Sequence, residues 1–160
     1  DFVSKQQTDN FQLVLRAVPQ LLSVNNYHEY ILKAHQLGLA ITSIPLSYPE
    51  HMAVNVLPWD IRQELKLNYQ HALEQLQQDT DKPVFQTIAL GRDASRLTQT
   101  LSRECEVVIK MLDSKTPDNV DQLRTTLVQW LLKWDKKYNY NALALYPQYK
   151  EFFKKYGYSI

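Results

Sequence analysis

The sequence predicts an α/β fold in which a strand–helix–strand front half is followed by a mainly helical back half, with helix dominant overall. Three observations carry this expectation. Phe11, Leu13 and Leu15 alternate with Gln12, Val14 and Arg16, the period of a strand. Between Tyr27 and Leu37 the apolar residues fall three and four apart, the period of a helix, and the β-prone run Leu39–Ile44 follows at once. From Ala94 onward the apolar residues keep the helical period almost to the end of the chain.

The elements follow in order. "FQLVLRAVPQLLSV", Phe11 to Val24, opens as a strand and is disturbed near Pro19, which has no N–H to give a ladder. Asn26, with Glu29 three residues on, suits the start of a helix whose stripe is Tyr27, Tyr30, Ile31, Ala34 and Leu37. Gly38 suits its C-terminal stop. Strand, helix and second strand together have the length of one βαβ unit, roughly 35 residues. Pro45 and Pro49 end the second strand. Met52 to Val56, "MAVNV", alternates again and reads as a short extended piece. Pro58 precedes a helix with Asp60 and Gln63 in its first turn and Ile61, Leu65, Tyr69, Ala72, Leu73 and Leu76 on one stripe. "DTDKP" marks a loop or hinge. The chain therefore divides into residues 1–78, a hinge at 79–91, and a helical segment at 92–160.

In that last segment Ala94, Leu97, Leu101, Cys105, Val108 and Leu112 form one stripe. Thr116-Pro117 suits a helix start, a capping hydroxyl followed by proline at the first helical position. Val120, Leu123, Leu127, Trp130, Leu131 and Trp134 continue from it. Two long amphipathic helices joined by "SKTP" are expected to pack antiparallel, with Trp130 and Trp134 in the core or in a seam against the front half. The tail "YPQYKEFFKKYGY" reads as a short aromatic helix.

Composition narrows the function classes. The 160 residues are 44% hydrophobic and 22% charged, which suits one domain with a real core. A formal net charge of +1 argues against a general electrostatic nucleic-acid binder, and nucleic acid is not expected as a partner. The charge is skewed: residues 110–160 carry nine Lys/Arg against five Asp/Glu. The single cysteine, Cys105, excludes a disulfide or a Cys-based metal cluster within the chain and fits a reducing, cytoplasmic setting. No apolar window is long enough to span a bilayer, so no membrane partner is expected. A start at Asp1 without methionine suits a processed product or a piece of something longer.

No complete catalytic motif is present. The four histidines show no metal-ligand spacing. His51 stands apart because it lies in the proline-framed turn after a strand. Cys105 falls on a helix stripe between Glu104 and Glu106, whose charges disfavour a thiolate. There is no glycine-rich phosphate loop, no GxSxG elbow and no Ser/His/Asp order. "RDASR", Arg92 to Arg96, reads as a solvated first helical turn. The aromatic C-terminus, interleaved with Lys136, Lys137, Lys150, Lys154 and Lys155, suits either a tail helix docked on the body or a single-strand nucleic-acid binder.

The order of the pieces resembles the C-terminal part of radical SAM proteins, of the twitch-domain type. The stretches that carry the likeness are "LVLRAVPQLLSVNNYHEYILKAHQLG", "YPEHMAVNVLPWDIRQELK" and "LVQWLLKWDKKYNYNALALYPQYKEFFKKYGY", about half of the chain. The resemblance implies a partial barrel-like front half. It implies S-adenosylmethionine and a [4Fe–4S] cluster in a parent protein, to which this chain contributes part of the pocket while being inactive alone. It would place Ser23 and Asn25 near the methionine part of the cofactor, and the Pro45–Tyr48 turn, with Leu46, near the adenine. Arg16, Tyr48 and His51 would face substrate. Asn25 suits helix capping equally well. The family's three-cysteine motif and its glycine-glycine-glutamate segment are absent, so no catalytic or metal residue is assigned here. The expected partner is a missing N-terminal part or another protein. The alternative is a non-enzymatic helical protein-interaction module. "SIPLSYPEH", Ser43 to His51, is either a strand-to-site turn or a stiff corner.

Overall fold

The structure is a computed structural model that describes residues 14–78 and 94–159. Its front is a β–α–β unit. Strand β1 (Val14–Ala17) lies parallel to β2 (Ala40–Ser43), with Val14 opposite Ala40 and Ala17 opposite Ser43. Helix α1 (Val24–Leu37) makes the crossover. The rest of the described chain is almost entirely helical: α2 (Trp59–Gln78), α3 (Ala94–Leu112), α4 (Val120–Tyr138), α5 (Ala142–Leu145) and α6 (Lys150–Lys155), with short 3-10 turns between them. The sheet stays open at two strands among the described residues. The predicted strand start at Phe11 and the hinge at 79–91 lie outside those residues.

Alternation holds in β1. Leu15 and Ala17 pack on the core while Arg16 is exposed. Helix α1 starts earlier than the Asn26–Glu29 pattern suggests. Ser23 is its N-terminal flanking residue, and its hydroxyl accepts from the Gln20 N–H at 3.1 Å and donates to the Val18 carbonyl at 3.2 Å. The turn after β1 thus runs straight into the helix, leaving Asn26 no capping role. Gly38 ends α1 as expected, with φ 66° and its N–H returned to the helix. Two stripe residues differ from expectation: Tyr30 and Leu37 are exposed, while Val24, Tyr27, Ile31 and Ala34 form the buried face.

Helix α3 lies chiefly on α2 and also meets α1 and β2. Leu101, Cys105, Val108 and Leu112 are fully buried along it, and Leu65, Tyr69, Ala72 and Leu76 answer from α2. Burying each such leucine contributes about 1.5–3 kcal/mol. The expected antiparallel pairing of the two C-terminal helices is corrected here. The main partner of α3 is α2, and α4 packs instead on the 3-10 turns Glu50–Met52 and Val54–Val56 and on α5.

Arg62 ties α2 to the C-terminal end of α3. Its position continues the α2 stripe backward from Leu65, Tyr69, Ala72 and Leu76, and it is 1% exposed. Its guanidinium donates to the carbonyls of Leu112 (3.0 Å) and Ser114 (2.7 Å) and to Thr116 Oγ1. These acceptors cluster at the C-terminal end of α3, where carbonyls lack helical partners and a cation is favoured. Thr116 therefore serves Arg62 and is not the expected cap. The next helix begins one turn later, at Val120 after Asn119. Lys66 pairs with Asp113 at 2.7 Å on the rim of the same joint.

The piece Met52–Val56, expected to be extended, forms two 3-10 turns, Glu50–Met52 and Val54–Val56. Met52, Val54 and Val56 are still buried, on two separate turns joined at Ala53, whose backbone is extended. The chain end docks aromatics on the body: Tyr149, Phe152, Phe153 and Tyr158 are buried, while Lys150, Lys154 and Lys155 are exposed. Asp135 accepts from the Ala142 N–H (2.9 Å) and from the Tyr158 hydroxyl, which ties the tail to α4.

Candidate functional site

Two features are built around the proline-framed turn. The first is a cavity at the carboxyl end of β2. The turns that follow the two strands are laced together: the Ile44 N–H donates to the Ala17 carbonyl (3.1 Å), Leu46 to Pro19 (3.2 Å) and Leu21 to Met52 (2.9 Å). This fixes residues 45–56 over the strand ends, where ligands of open parallel sheets bind. The cavity is an open cleft of about 770 Å³. Leu46, Ala53 and Val54 wall it on one side, and Val107, Met111 and Leu123 on the other. Glu50 and Lys110, both exposed, contribute opposite charges to its lining.

Of the residues singled out in the sequence, Leu46 lines this cavity, together with Pro45 and Ser47 of the same Pro45–Tyr48 turn. Ser23 is engaged in the turn after β1. Asn25 donates its side-chain amide to Asn26 Oδ1 on the first turn of α1. Arg16 stands on the open face of the sheet in register with Thr42, also exposed. Tyr48 is 81% exposed. His51 turns the other way and faces Trp130, ring centroids 6.4 Å apart. The structure thus does not gather Arg16, Tyr48 and His51 into one site.

The cluster implied by the resemblance can be tested against the donors present. Such a cluster needs several thiolates. The chain has one cysteine, fully buried in α3. Burial, followed by the charges of Glu104 and Glu106, pushes the Cys105 thiol up to about 12. The residues of this chain do not fit that group.

The second feature is a strip of aromatic rings that runs from the turn along α4. His51 meets Trp130, Trp130 meets Trp134 at 4.8 Å, Trp134 meets Tyr138 at 4.7 Å, and Tyr138 meets Tyr140 at 6.2 Å. The α4 members sit at i, i+4 and i+8, so they stack along one side of the helix. That side is next to the buried face of Leu127, Leu131 and Asp135 but is not part of it. Trp134 is 40% exposed, Tyr138 45% and Tyr140 56%. Trp130 is half-buried and forms the expected seam with the front half, whereas Trp134 is corrected from core to surface. Asn139, with φ 54°, ends α4 in the left-handed conformation and carries Tyr140 back alongside Tyr138. Burial lowers the pKa of His51, so its imidazole is neutral where it adjoins Trp130 at neutral pH. In the sequence Trp130 and Trp134 read as part of an apolar stripe that ends before Tyr138.

Comparison with family models, with curated proteins and with solved structures finds no match for this chain.

Proposed function

We propose that this chain is a non-enzymatic helical protein-interaction module acting in the cytoplasm, with the aromatic strip of α4 as its contact surface. The observation that carries this reading is the unbroken run of partly exposed rings from Trp130 to Tyr140. Tryptophan and tyrosine are enriched among the few residues that carry most of the binding energy at protein interfaces. Three of them in one ordered, self-stacked row expose apolar surface that folding leaves uncovered. The single cysteine supports the cytoplasmic setting.

Site-specific photo-crosslinking in the source cell tests the proposal. A photoreactive residue at position 138 is expected to give one discrete adduct with a second protein. The same residue at exposed position 70 on α2 should give none, and Trp134→Ala should abolish the adduct. Absence of any adduct at 138, or equal adducts at both positions, contradicts it.

A second reading, the radical SAM portion, draws support from the cavity beside Leu46 at the carboxyl end of β2. Calorimetric titration with S-adenosylmethionine tests it. Saturable heat that is lost in Leu46→Glu would favour it, and no heat would count against it.

A further inference from the structure

We infer that the partner of the aromatic strip is an acidic peptide segment carrying large apolar side chains. This rests on the interaction reading above and specifies its chemistry. The argument begins with the charges around the rings. Lys133 and Lys137 stand one turn beyond Trp130 and Trp134, so each flanks the strip at i+3. Lys137 Nζ lies 5.0 Å from the centroid of the Tyr138 ring, and Lys133, Lys136 and Lys137 are all exposed. None of these three forms an ion pair with a described residue. The only acid between Leu127 and Tyr140 is Asp135. It is buried, accepts from the Ala142 N–H and the Tyr158 hydroxyl, and forms no ion pair with the lysines among the described residues. Three lysines against one buried acid leave the strip an apolar ridge with a net cationic border along α4.

A partner that buries the ridge must bring apolar side chains for the rings. It must also bring carboxylates for the border, because a basic partner would set like charges against each other. The geometry favours a peptide over a single nucleic-acid strand. Bases bind by stacking on open ring faces. Here Trp134 lies between Trp130 and Tyr138, each under 5 Å away, so its neighbours crowd the space a base would need. The ring edges and the aliphatic stems of the lysines are what remain on offer, and these suit leucine- or phenylalanine-sized side chains.

A random-peptide display selection on the intact chain tests the inference, with a labelled oligothymidine titrated in parallel. Enriched peptides are expected to combine Asp or Glu with Leu, Phe, Ile or Trp. Their affinity should fall with added salt, by at least about tenfold in Trp134→Ala and by about tenfold in Lys133→Glu/Lys137→Glu. Both lysines are exposed, so the second variant keeps the fold, which its melting curve checks. Peptides that lack acidic residues, or that bind the double variant unchanged, would overturn the acidic partner and leave the interaction reading in place. Oligothymidine binding that depends on Trp134 and exceeds peptide binding would overturn it in favour of nucleic acid. If no peptide is enriched, the inference falls. The crosslink from position 138 then shows whether the interaction reading falls with it.

Discussion

Helices α3 and α4 are the same length, 19 residues, and both carry an apolar stripe, yet they use it differently. Helix α3 turns Leu101, Cys105, Val108 and Leu112 fully inward, against α2, α1 and β2. Helix α4 turns Leu127, Val128 and Leu131 inward and leaves a second apolar row, Trp134 and Tyr138, partly in water. The first stripe holds the molecule together. The second is wider than the core needs. Surplus apolar surface of this kind is what the proposed docking role requires.

The sharpest way to break this comparison is to attack the inward row of both helices. Leu127→Asp is expected to cost on the order of 4 kcal/mol or more, since it sets a charge in a fully buried position. Leu101→Ala and Leu127→Ala should each cost roughly 2–5 kcal/mol in chemical denaturation. An unchanged midpoint in any of them would mean that the assigned face is not the core. Next comes the joint that separates the two helices. Arg62→Ala leaves the buried Leu112 carbonyl, the part-buried Ser114 carbonyl and Thr116 Oγ1 without their donor and should cost about 3 kcal/mol. Arg62→Lys should recover only part of that, because an ammonium cannot reproduce the planar fork. Full recovery would show that charge alone matters there.

Asp135→Asn weakens the acceptor for Ala142 and Tyr158 and should cost about 1–2 kcal/mol, with loss of order confined to the tail in hydrogen exchange. A smaller effect comes from pH. Burial lowers the pKa of His51 and of His28. Each is held neutral in the folded chain, so the unfolded chain binds more protons near and below the ordinary histidine pKa of about 6.5. Their contribution is complete above that pH and is lost as pH falls through it toward the lowered folded values. The denaturation midpoint should therefore drop on acidification from neutral pH, and less so in His51→Gln. A drop that is identical in His51→Gln would place the effect elsewhere. The smallest effect on stability belongs to the outward row: Trp134→Ala should change it by no more than about 1 kcal/mol while removing partner binding.

Much of the framework was legible in the residues. The β–α–β order, the Gly38 stop, the α2 and α3 stripes and the docked aromatic tail all follow from period and punctuation. What was not legible depended on a partner far away in sequence. Thr116 reads as a cap until Arg62 takes its hydroxyl. Met52–Val56 alternates like a strand, and a 3-10 turn buries the same side chains. Trp134 falls on an apolar stripe, and only the three-dimensional packing shows that it is left 40% exposed. Of the candidate site residues, Leu46 reaches the cavity because the strand-end turns are hydrogen-bonded together. Arg16 misses it because β1 alternation sends its side chain to the opposite face of the sheet.

The measurement that bears most directly on the account is hydroxyl-radical footprinting of the aromatic residues, read by mass spectrometry in intact cells and on the purified chain. Trp59, 55% exposed on α2, serves as the internal reference. Purified protein should be labelled at Trp59, Trp134 and Tyr138. In cells, Trp134 and Tyr138 should be protected while Trp59 is not. Equal labelling of Trp134 in both settings, relative to Trp59, would contradict the assignment of α4 as the docking face.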